Sequence, residues 1–124
     1  FAISSSIGVL LGQYKAKDGS EFDCVFVNQT SPVMMAWAGM AYKNKYKKPL
    51  FLYCMDVWPD SLTVGGVKQD SLVFKLFKFI SKRVYRASDY IFVTSPSFKN
   101  HFVNQFDRTK DYLFATICRR SFYP

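Results

Sequence analysis

PLFLYCMDVWPDS, residues 49–61, decides how the rest of the chain is read. Leu50–Cys54 is a short, continuous apolar run with Pro49 before it and Met55, Asp56, Val57, Trp58, Pro59 and Asp60 after it. Such a run, bounded by breakers, reads as a buried strand of a parallel sheet. The two acids and the tryptophan then stand in a loop at the strand's carboxyl end. Open α/β sheets hold their ligands at that edge. Asp56 therefore either faces a ligand or closes a turn.

The pattern of strand, polar loop and helix repeats on both sides. Upstream, residues 1–16 carry Ile3, Ile7, Leu10, Leu11 and Tyr14 at helical spacing, and Lys17 to Ser20 form a turn cluster. FDCVFV, residues 22–27, reads as a strand and ends in the polar string Asn28-Gln29-Thr30-Ser31-Pro32. Ser31 is placed to cap a helix over residues 33–45 with Pro32 in its first turn. The lysines 43, 45, 47 and 48 fall at that helix's negative end.

Downstream, Gly65-Gly66 breaks the chain, and Asp70 or Ser71 starts the longest helix, SLVFKLFKFISKRVYRAS. Residues 90–93 read as a third strand. Thr94-Ser95-Pro96-Ser97 then leads into a helix over residues 98–106, and residues 107–110 form a turn. Each connection between strands is long enough for a crossover, so the strands are expected to be parallel with right-handed crossovers. The fold class is α/β: a Rossmann-like parallel sheet with helices on both faces.

The 124 residues suffice for one such domain, and an apolar fraction of 49% excludes whole-chain disorder. The formal charge of +8 points to an anionic partner: nucleic acid, a membrane surface or a phosphorylated substrate. Cys24, Cys54 and Cys118 form no CxxC pair and read as small buried hydrophobes in a reducing cytosol. With His101 the only histidine, no metal site is expected. No apolar segment approaches the ~20 residues of a membrane span. There is no signal-peptide layout either, so a cytoplasmic location is expected. The chain opens at Phe1 inside a helical pattern without an initiator Met, which reads as a fragment.

DCVFVNQTSP, KKPLFLYCMDVWPDS and ASDYIFVTSPSF, in this order and spacing, resemble family 4 glycosyltransferases of the GT-B fold. The likeness is to the amino-terminal domain of members that build bacterial cell-surface polysaccharides, and it covers residues 1–112. It implies a retaining, metal-free transferase that moves a sugar from a nucleotide-sugar to a lipid-linked saccharide acceptor. Such an enzyme would work at the inner face of the cell membrane. The acceptor side would lie in this domain. The donor would be held mainly by a second Rossmann domain absent from the chain, so the chain alone is expected to be inactive. Many members carry His immediately before the loop acid; here that residue is Met55, and no role of that histidine carries over. Asp56 matches the following acid, while Trp58, Pro59 and Asp60 match only the narrower subgroup.

Residues 113–124, LFATICRRSFYP, leave the family pattern. A back-translation of residues 112–122, read one base later, gives ICLPQYAEEA, a good interdomain linker for the family. A frameshift is therefore expected in the tail, and DNA sequencing through the region checks it. Arg119 and Arg120 would then be accidental basic residues.

The candidate acceptor-side residues are Asp56, Trp58, Asp60, Asn28, Thr30, Ser31, Thr94 and Ser95. Asp56 either hydrogen-bonds a sugar hydroxyl or caps a turn. Trp58 either stacks on a sugar ring or seals the loop onto the sheet. Asp60 also reads as a cap or a solvated acid, and Ser31 and Ser95, each before proline, also read as caps. The second candidate surface is basic. Lys75, Lys78, Lys82, Arg83 and Arg86 either form a solvated face or meet anionic lipid with Phe77 or Phe79 at the interface, and Lys43, Lys45, Lys47 and Lys48 would extend the patch. Each cation beside an anionic surface contributes about 1 kcal/mol. A non-catalytic basic module that binds such a membrane or nucleic acid is the alternative function. Nucleic acid is not an expected partner, because no Cys/His finger, RNP-like strand or helix-turn-helix is present. No GxGxxG supports a dinucleotide site.

Overall fold

The structure is a computed structural model. It describes residues 2–106; the 113–124 tail, the 107–110 turn and Cys118 lie outside the described residues. In chain order the elements are α1 (Ala2–Leu10), β1 (Val25–Gln29), a 3₁₀ turn (Val33–Ala36), α2 (Trp37–Tyr46), β2 (Leu50–Cys54), α3 (Ser61–Val64), α4 (Leu72–Ala87), β3 (Tyr90–Val93) and α5 (Pro96–Phe106). The three strands form one parallel sheet in the order β1-β2-β3. The protein is thus α/β, an open three-stranded sheet flanked by helices, of Rossmann-like type.

β2 and β3 occupy the stretches read as strands, and β2 is the central one. Its alternation is strict: Leu50, Leu52 and Cys54 are buried, whereas Phe51 and Tyr53 are half-buried. Leu52 and Cys54 join Ile91 and Val93 of β3 in a core completed by Val84 and Tyr85 of α4, Phe102 of α5, and Val33 and Ala36 of the 3₁₀ turn. Trp37 and Met40 of α2 pack against the same cluster. Strands laid down successively in one direction, with crossovers of one hand, bring their helices to the same side. The opposite face is aromatic. Phe51 stacks on Tyr90 at 4.9 Å and lies 6.2 Å from Phe92, and Phe26 lies 6.4 Å from Tyr53.

Four sequence expectations shift. β1 spans Val25–Gln29 rather than residues 22–27, because pairing begins where Val25 N–H donates to the Pro49 carbonyl (2.9 Å). Phe22 N–H turns instead to the Tyr42 hydroxyl (2.7 Å). The helix expected over 33–45 opens as the 3₁₀ turn, whose N-cap position is Pro32 and not Ser31, with no side-chain cap. α1 stops at Leu10, where Gly12 takes a left-handed φ of 76°, and Ile3, Ile7, Leu10, Leu11 and Tyr14 remain exposed while Gly8 and Val9 are buried. Cys54 is buried as expected, but Cys24 is exposed.

Other local signals hold. Ser71 caps α4, accepting from Phe74 N–H (3.2 Å), and Ser95 accepts from Phe98 N–H (3.4 Å) above Pro96, the first residue of α5. In the turn after α1, Asp18 accepts from the N–H and hydroxyl of Ser20, which holds its carboxyl below the usual range.

Candidate functional site

β2 is the middle strand, so the loop it feeds stands at the centre of the sheet's carboxyl edge, between the ends of β1 and β3. Cys54 is paired with Gln29 and with Val93. Three contacts fix the loop from below. Met55 N–H donates to the Gln29 carbonyl (3.0 Å), Gln29 Nε2 donates to the Asp56 carbonyl (2.8 Å), and Cys54 Sγ donates to that same carbonyl at 3.1 Å. From the side, Trp58 N–H donates to the fully buried Tyr85 hydroxyl (3.1 Å). Desolvation pushes the Cys54 thiol up to about 12 and the Tyr85 phenol above its ordinary value, so both groups are protonated and neutral at neutral pH.

The loop's own side chains close on one another. Asp56 Oδ2 accepts from Trp58 Nε1 at 2.9 Å, and Asp56 Oδ1 accepts from the Ser61 hydroxyl. Trp58 is 8% exposed, and its ring lies 5.3 Å from Phe77 of α4. It seals the loop onto α4 and offers no free face for stacking on a sugar, which removes one of its two sequence readings. Asp56 is half-buried. It closes a turn, yet a carboxylate has about four lone-pair positions, and these two hydrogen bonds leave others for a ligand.

Asp60 does not serve as a capping side chain for α3. Its Oδ2 instead lies 2.7 Å from Nε2 of His101 on α5, joining the loop to the helix that follows β3. Thr30 and Ser31 are exposed after β1, and Thr94 and Ser95 are half-buried after β3. These four flank the aspartate loop at one edge of the sheet. Asn28 is apart from them. It sits within β1 opposite Tyr53, on the aromatic face, because the strand runs two residues further than its sequence pattern indicates.

Sequence reasoning missed Gln29, Tyr85 and Ser61. Gln29 is fully buried, and its Oε1 has no hydrogen-bond partner among the described residues, which leaves an open acceptor beneath the loop. Its signal was its place inside the strand-end polar string, where it reads as a loop residue although it is the last residue of β1. Tyr85 carried no local signal; its contact to Trp58 spans 27 positions. A cavity of about 450 Å³ lies elsewhere, between α1, β1 and α2, bordered by Val9, Tyr14, Cys24, Met35 and Tyr42, and none of its lining belongs to the loop.

The basic residues divide into two groups. Lys75, Lys78, Lys82, Arg83 and Arg86 are all exposed on α4. The second cluster is partly engaged within the fold. Lys43 Nζ meets Asp89 (2.6 Å) and the Ala87 carbonyl (2.7 Å), Lys45 donates to the Val9 and Leu10 carbonyls at the end of α1, and Lys48 lies 4.0 Å from Asp23. Lys43, Lys47 and Lys48 line a hollow with Pro49 and Asp89 at the start of β2, the amino edge of the sheet. This cluster therefore does not simply continue the α4 surface.

No protein-family model, curated protein or solved structure matches the chain. Among the described residues, no helix is long and apolar enough to cross a membrane.

Proposed function

We propose that the chain supplies the acceptor-side wall of a retaining glycosyl-transfer cleft, acting at the inner face of a bacterial membrane on a lipid-linked saccharide. The observation that carries this reading is the half-buried Asp56 carboxylate, held by Trp58 and Ser61 at the carboxyl edge of a parallel sheet. That edge is the ligand-binding side of open α/β sheets. The resemblance of DVWPDS and ASDYIFVTS to family 4 glycosyltransferases points the same way. Thr30, Ser31, Thr94 and Ser95 add hydroxyl groups on the two flanking strand-end loops, a donor and acceptor set suited to sugar hydroxyls. The nucleotide-sugar donor would be bound mainly by a second domain, and no metal takes part in the reading.

The test is a backbone-amide NMR titration of the chain with short-chain polyprenyl-diphosphate-linked N-acetylglucosamine, glucose and galactose. At least one probe is expected to shift resonances in residues 55–61 together with those of Thr30, Ser31, Thr94 or Ser95. An Asp56→Asn variant is expected to weaken that response several-fold. If no probe perturbs any of the three loops, the reading is wrong.

A further inference from the structure

The outward side of α4 combines two features that its packing does not use. Phe74, Ser81, Val84 and Tyr85 point into the protein. On the opposite side Leu72, Leu76 and Phe79 recur at steps of four and three, which places them on one stripe. They are 83%, 57% and 63% exposed. Arg83 continues the stripe, while Lys75 and Lys82 run alongside it, all three exposed. The apolar stripe therefore projects straight into solvent with cations beside it and beyond it. An ordinary solvated helix face has the reverse arrangement, charges outermost and apolar groups turned inward.

We infer that this ridge docks the protein on an anionic phospholipid surface: Leu72, Leu76 and Phe79 insert between headgroups while Lys75, Lys82 and Arg83 meet the phosphates. The helix has 16 residues and so extends about 24 Å. It lies in the interface plane, as a helix with an apolar ridge and a cationic surround does. The chemistry also selects this helix. α1 exposes Ile3, Ile7 and Leu10 as well, but its sequence, AISSSIGVL, carries no charged side chain. The helix itself has no cation with which to meet an anionic surface.

Phe77, one of the two aromatics expected at the interface, is excluded because it packs against Trp58 inside the protein; Phe79 takes that role. The lysines at the end of α2 are not needed. The inference also goes beyond the saccharide reading and stands without it, since the ridge and the aspartate loop lie on different sides of α4.

Vesicle co-sedimentation of the full 124-residue chain tests it, with no saccharide present, so its outcome is separate from that of the loop titration. Phosphatidylcholine vesicles are compared with vesicles of equal parts phosphatidylcholine and phosphatidylglycerol, at 0.1 and 0.5 M NaCl. Binding is expected only to the anionic vesicles, and part of it is expected to survive high salt because insertion is not screened. Leu76→Ser and Phe79→Ser are each expected to lower the partition constant about tenfold. Both positions are exposed, and circular dichroism checks that the variants remain folded. Lys75→Glu with Lys82→Glu is expected to abolish binding at 0.1 M NaCl, where the charges are least screened. Equal recovery on the two vesicle types, or serine variants that bind like the wild type, overturns the proposal. Preferential binding of a single-stranded 20-mer oligonucleotide over the anionic vesicles would also overturn it, reassigning the cations to nucleic acid.

Discussion

Asp56 uses an oxygen on each side of its carboxylate within its own loop, one for the Trp58 indole N–H and one for the Ser61 hydroxyl. Removing the carboxylate strands an indole donor on a ring that is nearly closed to water. Asp56→Ala is therefore expected to cost about 1–3 kcal/mol in urea unfolding. Trp58→Phe removes the donor instead of the acceptor and also loosens the packing on Phe77. The double variant should cost less than the sum of the singles, and strict additivity would mean the contact contributes nothing. Cys54 supports the same loop from below, and its thiol is pushed up to about 12. At pH 8 iodoacetamide should modify the exposed Cys24 and spare Cys54, as peptide mapping will show. The linkage has a definite sign. Cys54 and Tyr85 both hold their protons more tightly folded than unfolded, so their contribution is complete below about pH 9, the unfolded thiol value, and declines as pH rises towards 12. The Cys54 contribution alone falls by about 1.4 kcal/mol per pH unit in that window. A flat stability between pH 9 and 11 in denaturant titrations would contradict this.

At the scale of the element, α2 lies on the sheet through a position with no side chain. A Cβ added at Gly39 would stand 2.6 Å from Val27 Cγ2 and 3.0 Å from Leu50 Cδ1. Gly39→Ala gains about 1 kcal/mol of helix propensity but must push apart the helix and two strands. Overpacking of this kind costs about 1–3 kcal/mol, and thermal unfolding should show a net loss. A gain would mean that α2 can lift off the sheet freely. Strands proved more legible than helices. Leu50–Cys54 and Tyr90–Val93 were delimited by breakers on both sides, and β2 and β3 span the same residues. α1 ends short of the apolar periodicity over residues 1–16 because the chain turns at Gly12, in a left-handed conformation that periodicity does not register. The serine-proline signal at Ser31 is local and does not set the cap, because the chain enters the 3₁₀ turn through extended backbone at Pro32. At the candidate site, the loop and its two flanking hydroxyl clusters were legible as strand-end polar strings. Of its supports, Gln29 stood in a legible polar string but not as a buried group, and Tyr85, 27 positions from its partner, leaves no pattern in its own segment.

At the scale of the whole molecule, a sheet of three parallel strands offers a single carboxyl edge, and every candidate loop residue except Asn28 lies along it. Under the reading proposed above, that edge is one wall of a two-walled cleft. The chain incubated with UDP- and GDP-linked sugars and the polyprenyl-diphosphate probes is therefore expected to form no glycosylated product, measured by mass spectrometry. Turnover by this chain alone would remove the need for a second domain. α4 connects the two surfaces of interest. Its inward Phe77 and Tyr85 hold the aspartate loop through Trp58, while its outward Leu72, Leu76 and Phe79 face away. A helix with its side chains is about 10–12 Å across. With the outward ridge seated in lipid, α4 would stand between the bilayer and the aspartate loop, and its thickness would set how far above the headgroups that loop is held. Stature above the surface, and not affinity alone, would then select which saccharides the edge can touch: those a headgroup's length from the lipid, and not those at the end of a long chain.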